Sequence, residues 1–458
     1  MDTKKLRQKI LDLAIRGKLV PQDPNDELAF VLLERIKAEK ERLIKEGKIK
    51  RSKKTTKTSD TPHYENLPFE IPKGWCWCRF QDCMDVRDGT HDTPKYVEKG
   101  YPLITSKDFK NGKFDLSKTK YISSTDYENI IKRSKVEVGD ILYSMIGGNI
   151  GSMIQVRHEN YFEMAIKNVA LFKPYSSKLI CTEYVAFLLE SKIDEYQSIA
   201  IGGAQPFVGL DVFRNTFVPL PPLTEQQRIA AEIGHMFALI EHIEQNKNDL
   251  QTTIKQAKSK ILDLAIHGKL VPQDPNDEPA SEFLKRINPK TEITCDNAHY
   301  TQLPKGWSVA PMQILCSLID GNKQNGIERI NLDVKYLRSE RDYKTLTSGK
   351  YIPANSFLIL VDGENSGEVF KTPIEGYQGS TFKQLSINEN MNTEYLLQVI
   401  NFYRKLLREN KVGSAIPHLN KKLFKEIKVS IPPYREQQRI VDAINKAFMY
   451  LDMIMESL

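Results

Sequence analysis

Two proline pairs are the first features of the sequence that could belong to a catalytic motif. An adenine methyltransferase needs an Asn or Asp before Pro-Pro-aromatic, because a side-chain oxygen must accept a hydrogen bond from the amino group of the flipped base. The segment Ile431-Pro432-Pro433-Tyr434 has the prolines and the ring, but Ile431 cannot accept a hydrogen bond, and the other pair lies in Leu220-Pro221-Pro222-Leu223. Both pairs are therefore interpreted as stiff hinges that end a globular module before a helix.

Other chemical patterns are equally weak. Cys76, Cys78 and Cys83 lie near His91, but their spacing matches no common zinc motif, so buried reduced cysteines are the favoured interpretation. The glycine cluster at 147–151 lacks the following helix and distant acidic residue of a nucleotide site, and the sequence contains no Walker A motif. A nuclease-like Glu-Ile-Lys triplet at 426–428 is common by chance. The sequence therefore favours a binding protein over an enzyme.

The strongest signal is an internal repeat, which marks a duplication. Residues 9–27 recur at 260–278 with a single change, in which His267 stands where the first copy has Arg16. A Pro-Pro-(two residues)-Glu-Gln-Gln-Arg-Ile motif follows the first module and returns after the second. Between these flanks, the two interiors share only a skeleton of glycine, proline and apolar residues. This contrast predicts two variable modules mounted on shared structural parts.

The flanks have the pattern of a coiled-coil seam, because apolar residues after Glu225 recur at alternating steps of four and three. Its members are Ile229, Ile233, Met236, Ile240, Ile243, Leu250, Ile254, Ala257, Ile261 and Leu264. Thr224 with Gln227 predicts a capping box at the start, and Gly268 before Pro272 predicts the end. The predicted helix has about 44 residues and is roughly 66 Å long.

The two ends of the chain repeat the two halves of this helix, so a second helix split between the termini is predicted to pack antiparallel on it, in a pseudo-two-fold arrangement. The predicted fold class is α+β, with two mixed α/β modules separated by a long antiparallel two-helix coiled-coil spacer. Strands are expected at 75–80, 140–146 and 356–361, and helices at 182–198 and 393–408. The predicted segments are a conserved N-terminal helix (1–27), a basic linker or helix (28–67), the first module (68–222), a central helical region (223–302), the second module (303–433) and a C-terminal helix (434–458).

Composition limits the function classes without selecting one. The chain has 458 residues, a formal net charge of +7 and six cysteines, too few for a disulfide scaffold, so a reduced cytoplasm is expected. No apolar run is long enough for a transmembrane helix or a signal peptide, and no membrane partner is expected. The positive charge is concentrated in residues 35–57, which contain eleven Lys and Arg and three Glu. This segment is predicted to extend a helix from Leu28 that frays near Gly47, and we hypothesise that Lys48, Lys50, Lys53 and Lys54 track phosphates.

The repeated flanks, the paired Glu-Gln-Gln-Arg-Ile motifs and the loop at 88–96 together resemble the DNA-specificity (S) subunit of a type I restriction-modification system, over essentially the whole chain. The resemblance implies that residues 68–222 and 303–433 are target-recognition domains, each reading one half of a bipartite, asymmetric double-stranded DNA site. It implies helices that set the half-site spacing and dock two modification (methyltransferase) subunits, and a restriction/translocase subunit that joins them. It implies no catalytic activity or cofactor on this chain, with S-adenosylmethionine, ATP and Mg²⁺ expected on the partner subunits.

The resemblance also points to candidate contacts. Candidates for DNA binding are Arg87, Thr90, His91, Thr93, Lys95, Tyr96, Ser106, Lys107, Asn149, Gln205, Asn322, Lys323, Asn325, Arg338, Ser339, Asn365 and His418. Candidates for partner binding are Glu225, Gln226, Arg228, Glu436, Gln437 and Arg439. The second module lacks the His-Asp-Thr-Pro loop of the first, so the residues after Gly321 are only its positional counterpart.

Three alternatives remain open. One is the specificity subunit of a related system in which a single polypeptide carries both cleavage and methylation. Another is a diverged methyltransferase or nuclease, which would bind S-adenosylmethionine or cleave DNA by itself. The third is an adaptor that holds two protein partners, whose behaviour toward DNA would not depend on salt.

Overall fold

The structure of the chain, a computed structural model, describes residues 2–50, 67–287, 303–413 and 417–458. The chain divides into two compact units, residues 1–245 and 246–458. The boundary falls inside a single helix, α8, at Leu223–Ile266, which has the 44 residues predicted from the heptad pattern. Each unit has its own buried apolar core. None of the described helices combines the length and apolar character needed to span a bilayer.

The first unit begins with two helices, continues into the mixed module and ends with the N-terminal half of α8. Its other helices are α1 (Thr3–Ile15), α2 (Ala29–Lys45), α3 (Phe80–Cys83), α4 (Ser124–Ser134), α5 (Thr182–Ser191), α6 (Ile193–Ser198) and α7 (Leu210–Asn215). Its strands are β1 (Cys76–Arg79), β2 (Met84–Asp88), β3 (Tyr96–Val97), β4 (Tyr101–Ile104), β5 (Phe109–Lys110), β6 (Lys113–Phe114), β7 (Lys120–Ile122), β8 (Ile141–Ser144), β9 (Met153–Gln155), β10 (Ala165–Ile166), β11 (Val169–Pro174) and β12 (Phe217–Leu220).

The second unit contains the C-terminal half of α8, the second module and the last helix of the chain. Its other helices are α9 (Ala280–Ile287), α10 (Met312–Leu315), α11 (Val334–Leu337), α12 (Thr393–Glu409), α13 (Lys421–Glu426) and α14 (Tyr434–Glu456). Its strands are β13 (Ser308–Pro311), β14 (Cys316–Ile319), β15 (Asn322–Leu332), β16 (Thr345–Ile352), β17 (Phe357–Leu360), β18 (Val369–Lys371), β19 (Gly376–Gln378), β20 (Phe382–Ile387) and β21 (Lys428–Ile431).

Two sheets are common to both modules, and the remaining sheets differ. In the first unit, β1 pairs with β12, and a four-stranded sheet has the order β2-β11-β8-β9. In the second unit, β13 pairs with β21, and a four-stranded sheet has the corresponding order β14-β20-β17-β18. The remaining sheets differ, since the first unit has β10-β4-β7-β3 and the small pair β5-β6, and the second closes β15-β16-β19 into a small barrel. The variable part of each module is therefore an additional sheet on a common framework.

Each unit also contains an antiparallel pair of helices. In the first, Arg7 of α1 lies over the ring of Phe237 at 4.7 Å, while the loop after α1 reaches the start of α8 through an ion pair between Asp26 and Arg228 at 2.7 Å. In the second, Lys247 Nζ donates to the carbonyl oxygen of Leu458 at 2.6 Å, near the start of one helix segment and the end of the other. The long helix is thus paired with a terminal helix within each unit.

Burial along α8 corrects part of the predicted seam. Ile229, Ile233 and Ile254 are buried, but Ile243 is 46% exposed and Leu250 is 38% exposed. The capping prediction was wrong, because the helix begins at Leu223 and the Thr224 hydroxyl donates instead to Asp26 Oδ1 at 2.5 Å. The predicted helix at 182–198 is broken into α5 and α6 at Lys192.

The basic segment begins as predicted and then leaves the described part of the chain. Helix α2 ends at Lys45, just before Gly47, whose φ is +70°. Lys40 Nζ donates to the carbonyl oxygen of Gln81 at 2.6 Å and lies 5.4 Å from the ring centre of Tyr175, so this lysine ties α2 to the first module. The basic residues at 51–57, including Lys53 and Lys54, lie outside the described residues, and the proposed phosphate contacts there remain a prediction.

Two glycines follow the repeated helices, at points where the backbone passes close to the first residues of each module. Gly17 and Gly268 both have φ of +65°, a left-handed conformation that favours glycine. A Cβ added at Gly17 would lie 2.8 Å from Pro72 Cδ, and one at Gly268 would lie 3.0 Å from Pro304 Cδ. No other residue fits here without displacing the chain that enters the module.

We therefore expect Gly17→Ala and Gly268→Ala each to lower the free energy of unfolding by about 1–2 kcal/mol or more, since strain and crowding add. Chemical denaturation of the full chain measures this. Gly234→Ala is the matched control, because Gly234 lies within α8 with nothing near its added Cβ. It should instead gain about 0.5–1 kcal/mol. Equal effects at all three glycines would contradict this account.

Candidate nucleic-acid interface

A buried carboxylate joins three distant segments of the first unit. Glu225, at the start of α8, is 1% exposed. Its Oε2 accepts a hydrogen bond from Trp75 Nε1 at 2.9 Å, and its Oε1 accepts one from Gln22 Nε2 at 3.0 Å. Gln22 also donates to the carbonyl oxygen of Gly17 at 2.8 Å. We call this arrangement of Gln22, Trp75 and Glu225 the clamp of the first unit.

The second unit repeats the clamp with Gln273, Trp307 and Glu436. Trp307 Nε1 donates to Glu436 Oε2 at 3.1 Å, and Gln273 Nε2 donates to Oε1 at 3.1 Å. Burial raises the pKa of Glu436 above its usual value, so the two donors are needed to offset the cost of the buried carboxylate. An outer ion pair accompanies each clamp, from Arg228 to Asp26 and from Arg439 to Asp277, both at 2.7 Å.

The next residue of each Glu-Gln-Gln motif closes the junction between module and helix. Gln226 is fully buried, with its Nε2 donating to the carbonyl oxygen of Pro221 at 2.9 Å and its Oε1 accepting from the backbone N–H of Cys181 at 3.0 Å. Gln437 donates in the same way to the carbonyl oxygen of Pro432, and it accepts from the backbone N–H of Asn392. The proline pairs therefore end a strand before a helix, as predicted, and the glutamine holds that corner.

These contacts correct the expected partner-binding set. Glu225, Gln226, Glu436 and Gln437 lie inside the fold, and their polar atoms bind other parts of their own unit. Sequence patterns on a helix could not reveal this, because the matching tryptophans lie 150 and 129 residues away. Arg228 and Arg439 are partly exposed but already paired with carboxylates, and the hydrogen bond from Arg228 lowers the pKa of Asp26 below its usual value.

In the first module, the predicted loop contains an exposed histidine held by a buried carboxylate and a half-buried asparagine. His91 Nε2 lies 2.7 Å from Asp88 Oδ2, and its Nδ1 lies 3.0 Å from Asn168 Oδ1. Asp88 is buried and also binds the guanidinium of Arg133. The ring is therefore oriented by contacts below it while 60% of its side chain faces solvent.

Further candidates of the first module are connected through backbone contacts. Thr90 bridges to Lys167, whose backbone N–H donates to the carbonyl oxygen of Ile104, and the Nζ of Lys167 binds the Thr93 hydroxyl. Asn149 Nδ2 donates to the carbonyl oxygen of Ser106 at 3.2 Å. The turns that carry Asn149 and Gln205 also meet, because Gly147 N–H donates to the carbonyl oxygen of Pro206 at 2.7 Å. Thr90, Thr93, Ser106, Lys107, Asn149 and Gln205 thus lie on neighbouring loops.

The remaining candidates of this module differ in whether their side chains are available to a ligand. Lys95 and Tyr96 are exposed at the start of β3 and stay available to a ligand. Arg87 lies within β2 and uses its guanidinium internally, since Nε donates to Asp85 at 2.7 Å and Nη1 donates to the carbonyl oxygen of Arg133 at 3.0 Å. Its role as a direct contact is therefore the weakest of the set.

The second module places its candidates on two separate features. Asn322, Lys323 and Asn325 were expected in a loop, but they lie on the first part of the long exposed strand β15. Near the turn at 363–367, the guanidinium of Arg338 binds Glu368, and the backbone N–H of Glu368 donates to the carbonyl oxygen of Asn365. Ser339 is exposed beside Arg338 with φ of +57°. His418 reaches the same turn, with Nδ1 2.6 Å from Asp362 Oδ1.

Several polar residues at these surfaces were missed by the sequence reasoning. Lys167, Asn168 and Arg133 come from segments far from the predicted loop, and Ser348 and Lys350 lie on β16 opposite the predicted residues of β15. The residue type of Asn168 gave only a weak signal in the sequence. Asparagine adopts a positive φ more often than most residues, as Asn168 does here. Strand pairing, which placed the other residues, has no local signature.

The cysteine cluster is structural where the chain is described. Cys78 and Cys83 are buried as predicted, whereas Cys76 is only half-buried, and the hydrogen bond from Cys83 together with burial raises the pKa of Cys78. Among the described residues, no group of His, Cys, Asp and Glu has an arrangement that would hold a metal ion.

Comparisons with known proteins agree on one family. The model described as "Type I restriction modification DNA specificity domain" matches residues 72–252 and 304–453. Two similar proteins from Escherichia coli are the type I restriction enzyme EcoAI specificity subunit, 31% identical over 69% of this chain and 63% of that protein, and the EcoEI specificity subunit, 32% identical over 62% and 54%. The matched region thus spans less than two thirds of either relative.

A solved structure shares the fold. A chain from a structure described as showing complex assembly and conformational transition of the type I R-M system is 15% identical and matches with a TM-score of 0.56. The match covers 85% of this chain and 94% of that one. At this identity, the likeness concerns the fold alone.

Substitutions of the two neighbouring glutamines of the first motif, Gln226 and Gln227, test whether the buried one stabilises the fold. Gln226→Ala should lower the free energy of unfolding by about 1–3 kcal/mol, because it leaves buried backbone groups at Pro221 and Cys181 without partners. Gln227→Ala is the control, since Gln227 is exposed on the same helix turn and should change stability by about 0.5 kcal/mol or less. Urea denaturation of the full chain measures both. Unchanged stability in Gln226→Ala would restore this residue as a partner contact.

Proposed function

The chain belongs to the type I restriction-modification DNA specificity family, and on this premise we propose that it is the non-catalytic DNA-recognition subunit of a methyltransferase and endonuclease complex. Each module reads one half of a bipartite, asymmetric double-stranded DNA site. The observation that carries the proposal is the contrast between the units, which share the clamp and the framework sheets but differ in their additional sheets and exposed polar residues.

The division of labour follows from that contrast. Repeated flanks fit two copies of one partner, because similar surfaces bind equal subunits. Different additional sheets fit two different DNA sequences, because base edges are read by the particular side chains that reach the groove. Helix α8, which continues from one unit into the other, supports a role as the spacer that sets the half-site distance, together with the split helix formed by the two ends of the chain in a pseudo-two-fold repeat.

The proposed DNA contacts are the exposed candidates on the additional sheets and neighbouring turns. Within the first module, His91 is the leading one, because Asp88 and Asn168 fix its ring before any ligand arrives. Such preorganisation lowers the entropy cost of a base or phosphate contact. In the second module, His418 is held in the same manner by Asp362.

Because the Glu-Gln-Gln motif is buried, the proposed docking surface for the modification subunits lies on exposed parts of the helices instead. On α14, Met449, Tyr450 and Met453 are each more than half exposed, and Ile454 is 43% exposed. In the first unit, Leu239 and Ile243 are exposed on α8. Exposed apolar residues grouped on one helix are typical of a protein interface. Restriction subunits would join this assembly, with S-adenosylmethionine, ATP and Mg²⁺ bound by the partners.

The experiment that tests the proposal is the methylation map of DNA from cells that express the full chain with a modification subunit. We expect a split motif of two specific parts separated by a fixed number of unspecified base pairs, because two modules on one helical connection read two sequences at a set distance. Cells without the chain are the control and should lack this motif. Methylation without sequence preference would refute the proposal.

Calorimetry separates the proposal from a diverged methyltransferase. The purified full chain should release no heat with S-adenosylmethionine, because neither Ile431 nor Leu220 offers the side-chain oxygen that precedes a methyltransferase Pro-Pro pair. The assembled complex with its modification subunit is the positive control. Stoichiometric binding by the chain alone would favour the enzyme alternative.

A further inference from the structure

Strands β15 and β16 join β19 only at 331–332 and 351–352, and the rest of their length forms a two-stranded ribbon whose exposure is not explained by the stability of the fold. Along 322–330 and 345–350, the side chains are exposed or half-exposed. The strands pair antiparallel, with Asn322 opposite Tyr351 and Asn325 opposite Ser348. A two-stranded ribbon that buries little apolar surface contributes little stability by itself. The ribbon therefore needs another explanation, and its two faces provide one.

One face of the ribbon rests on a buried ring. Gly349 lies so close to Tyr377 that a Cβ added to the glycine would sit 2.6 Å from the ring Cγ. The Tyr377 hydroxyl donates to the carbonyl oxygen of Ile327 at 2.7 Å, just where the strand register shifts. Because side chains alternate along a strand, Gln324 shares this supported face with Gly349. The ring and the hydroxyl hold the ribbon in place from this side.

The opposite face, which we call the outer face, consists of Lys323, Asn325, Ser348 and Lys350. All four residues are exposed. Directly opposed residues of paired strands point to the same side, and the register places Lys323 opposite Lys350 and Asn325 opposite Ser348. The outer face therefore presents two ammonium groups, an amide and a hydroxyl, and none of its four residues is acidic.

The opposed lysines are unfavourable without a ligand, since like charges directly across a strand pair repel each other. Lys350 Nζ lies 2.9 Å from Asp320 Oδ1, but Asp320 also binds Lys383 at 2.6 Å, so one carboxylate serves two lysines. These hydrogen bonds, led by that from Lys383, lower the pKa of Asp320 well below its usual value. Lys323 has no ion-pair partner among the residues that the structure describes. An excess of positive charge thus remains on the outer face.

We propose that the outer face of this ribbon enters the major groove of DNA and reads one half-site, with Asn325 and Ser348 at base edges and Lys323 and Lys350 at guanines or phosphates. The inference rests on the proposed function and deepens it by naming the element and the residues that recognise the DNA. A two-stranded ribbon fits the width of the major groove, and amide and ammonium groups match the acceptor and donor patterns displayed there. The opposed lysines supply the charge complementarity to a polyanion.

The spacing on the ribbon suits successive base pairs. Lys323 and Asn325 are two residues apart, which corresponds to about 7 Å along a strand. Base pairs follow one another at about 3.4 Å. The two side chains therefore reach base pairs about two steps apart, and substitutions at the two positions should affect different positions of the same half-site.

The methylation map of cells that co-express the full chain and a modification subunit tests the assignment. Asn325→Ala should relax one base position in one half of the split motif by roughly tenfold or more and leave the other half unchanged. Asn149→Ala, in the first module, should affect only the opposite half. A wild-type split motif that Asn325→Ala and Lys323→Gln both leave unchanged would overturn the ribbon assignment while the proposed function stands. A wild-type complex without a split motif would overturn the proposed function itself.

Binding measurements on the purified complex with a duplex that carries the mapped site separate recognition from stability. Lys323→Gln should lower the slope of log K against log salt by about one if the lysine meets a phosphate, or relax one base position if it meets a guanine. Its melting temperature should stay equal or rise, because the repulsion from Lys350 is removed. Lys405→Gln is the matched control, since Lys405 is 86% exposed on α12 of the same unit, and it should change neither property.

Two results would overturn the inference on different grounds. A lower melting temperature with unchanged DNA specificity would show that Lys323 serves the fold. Lost assembly with the modification subunit, with no change in base preference, would show that the ribbon binds an acidic protein surface instead of DNA.

Discussion

The structure of each unit depends on one buried carboxylate. Glu225 in the first unit, and Glu436 in the second, accept hydrogen bonds from an indole and from an amide that lie far away in the sequence. A carboxylate removed from water is costly unless its oxygens are satisfied. Misplacing any one of the three segments would leave that cost uncompensated. The clamp therefore fixes where the terminal helix, the first strand of the module and the long helix meet.

Because the clamp fixes the junction, other parts of the two units can differ in sequence and in sheet structure. The clamp and the buried glutamine beside it lie at the ends of β1 and β12, or of β13 and β21, and the neighbouring four-stranded sheets keep a common order. Small apolar clusters connect the additional sheets to β8 and β11 in the first unit and to β17 and β20 in the second, and these clusters are separate from the main cores that contain the clamp tryptophans. A fold built this way keeps one junction while the additional sheets differ.

The candidate residues show which properties a pattern can predict. His91 and Asn149 lie on exposed turns as expected, because glycine and polar residues mark turns locally. Arg87 was expected to face a ligand, yet its guanidinium serves Asp85 and the backbone at Arg133. Residues 322–325 were expected in a loop because polar side chains on both faces of a strand leave no alternation to detect. Each error arose where the folded environment, and not the residue type, decided what the side chain contacts.

The sequence by itself determined the duplication, the glycine stops that end the repeated helices and the proline hinges, because repeats, heptad steps and glycine stops are properties of neighbouring residues. The tertiary structure alone decided that the Glu-Gln-Gln motifs are buried, how the sheets are ordered, and that two opposed lysines share one face of an exposed ribbon. The physical reason is the same in each case. Hydrogen-bond partners and strand registers join residues that are far apart along the chain, and their burial and charge environment exist only after those segments meet.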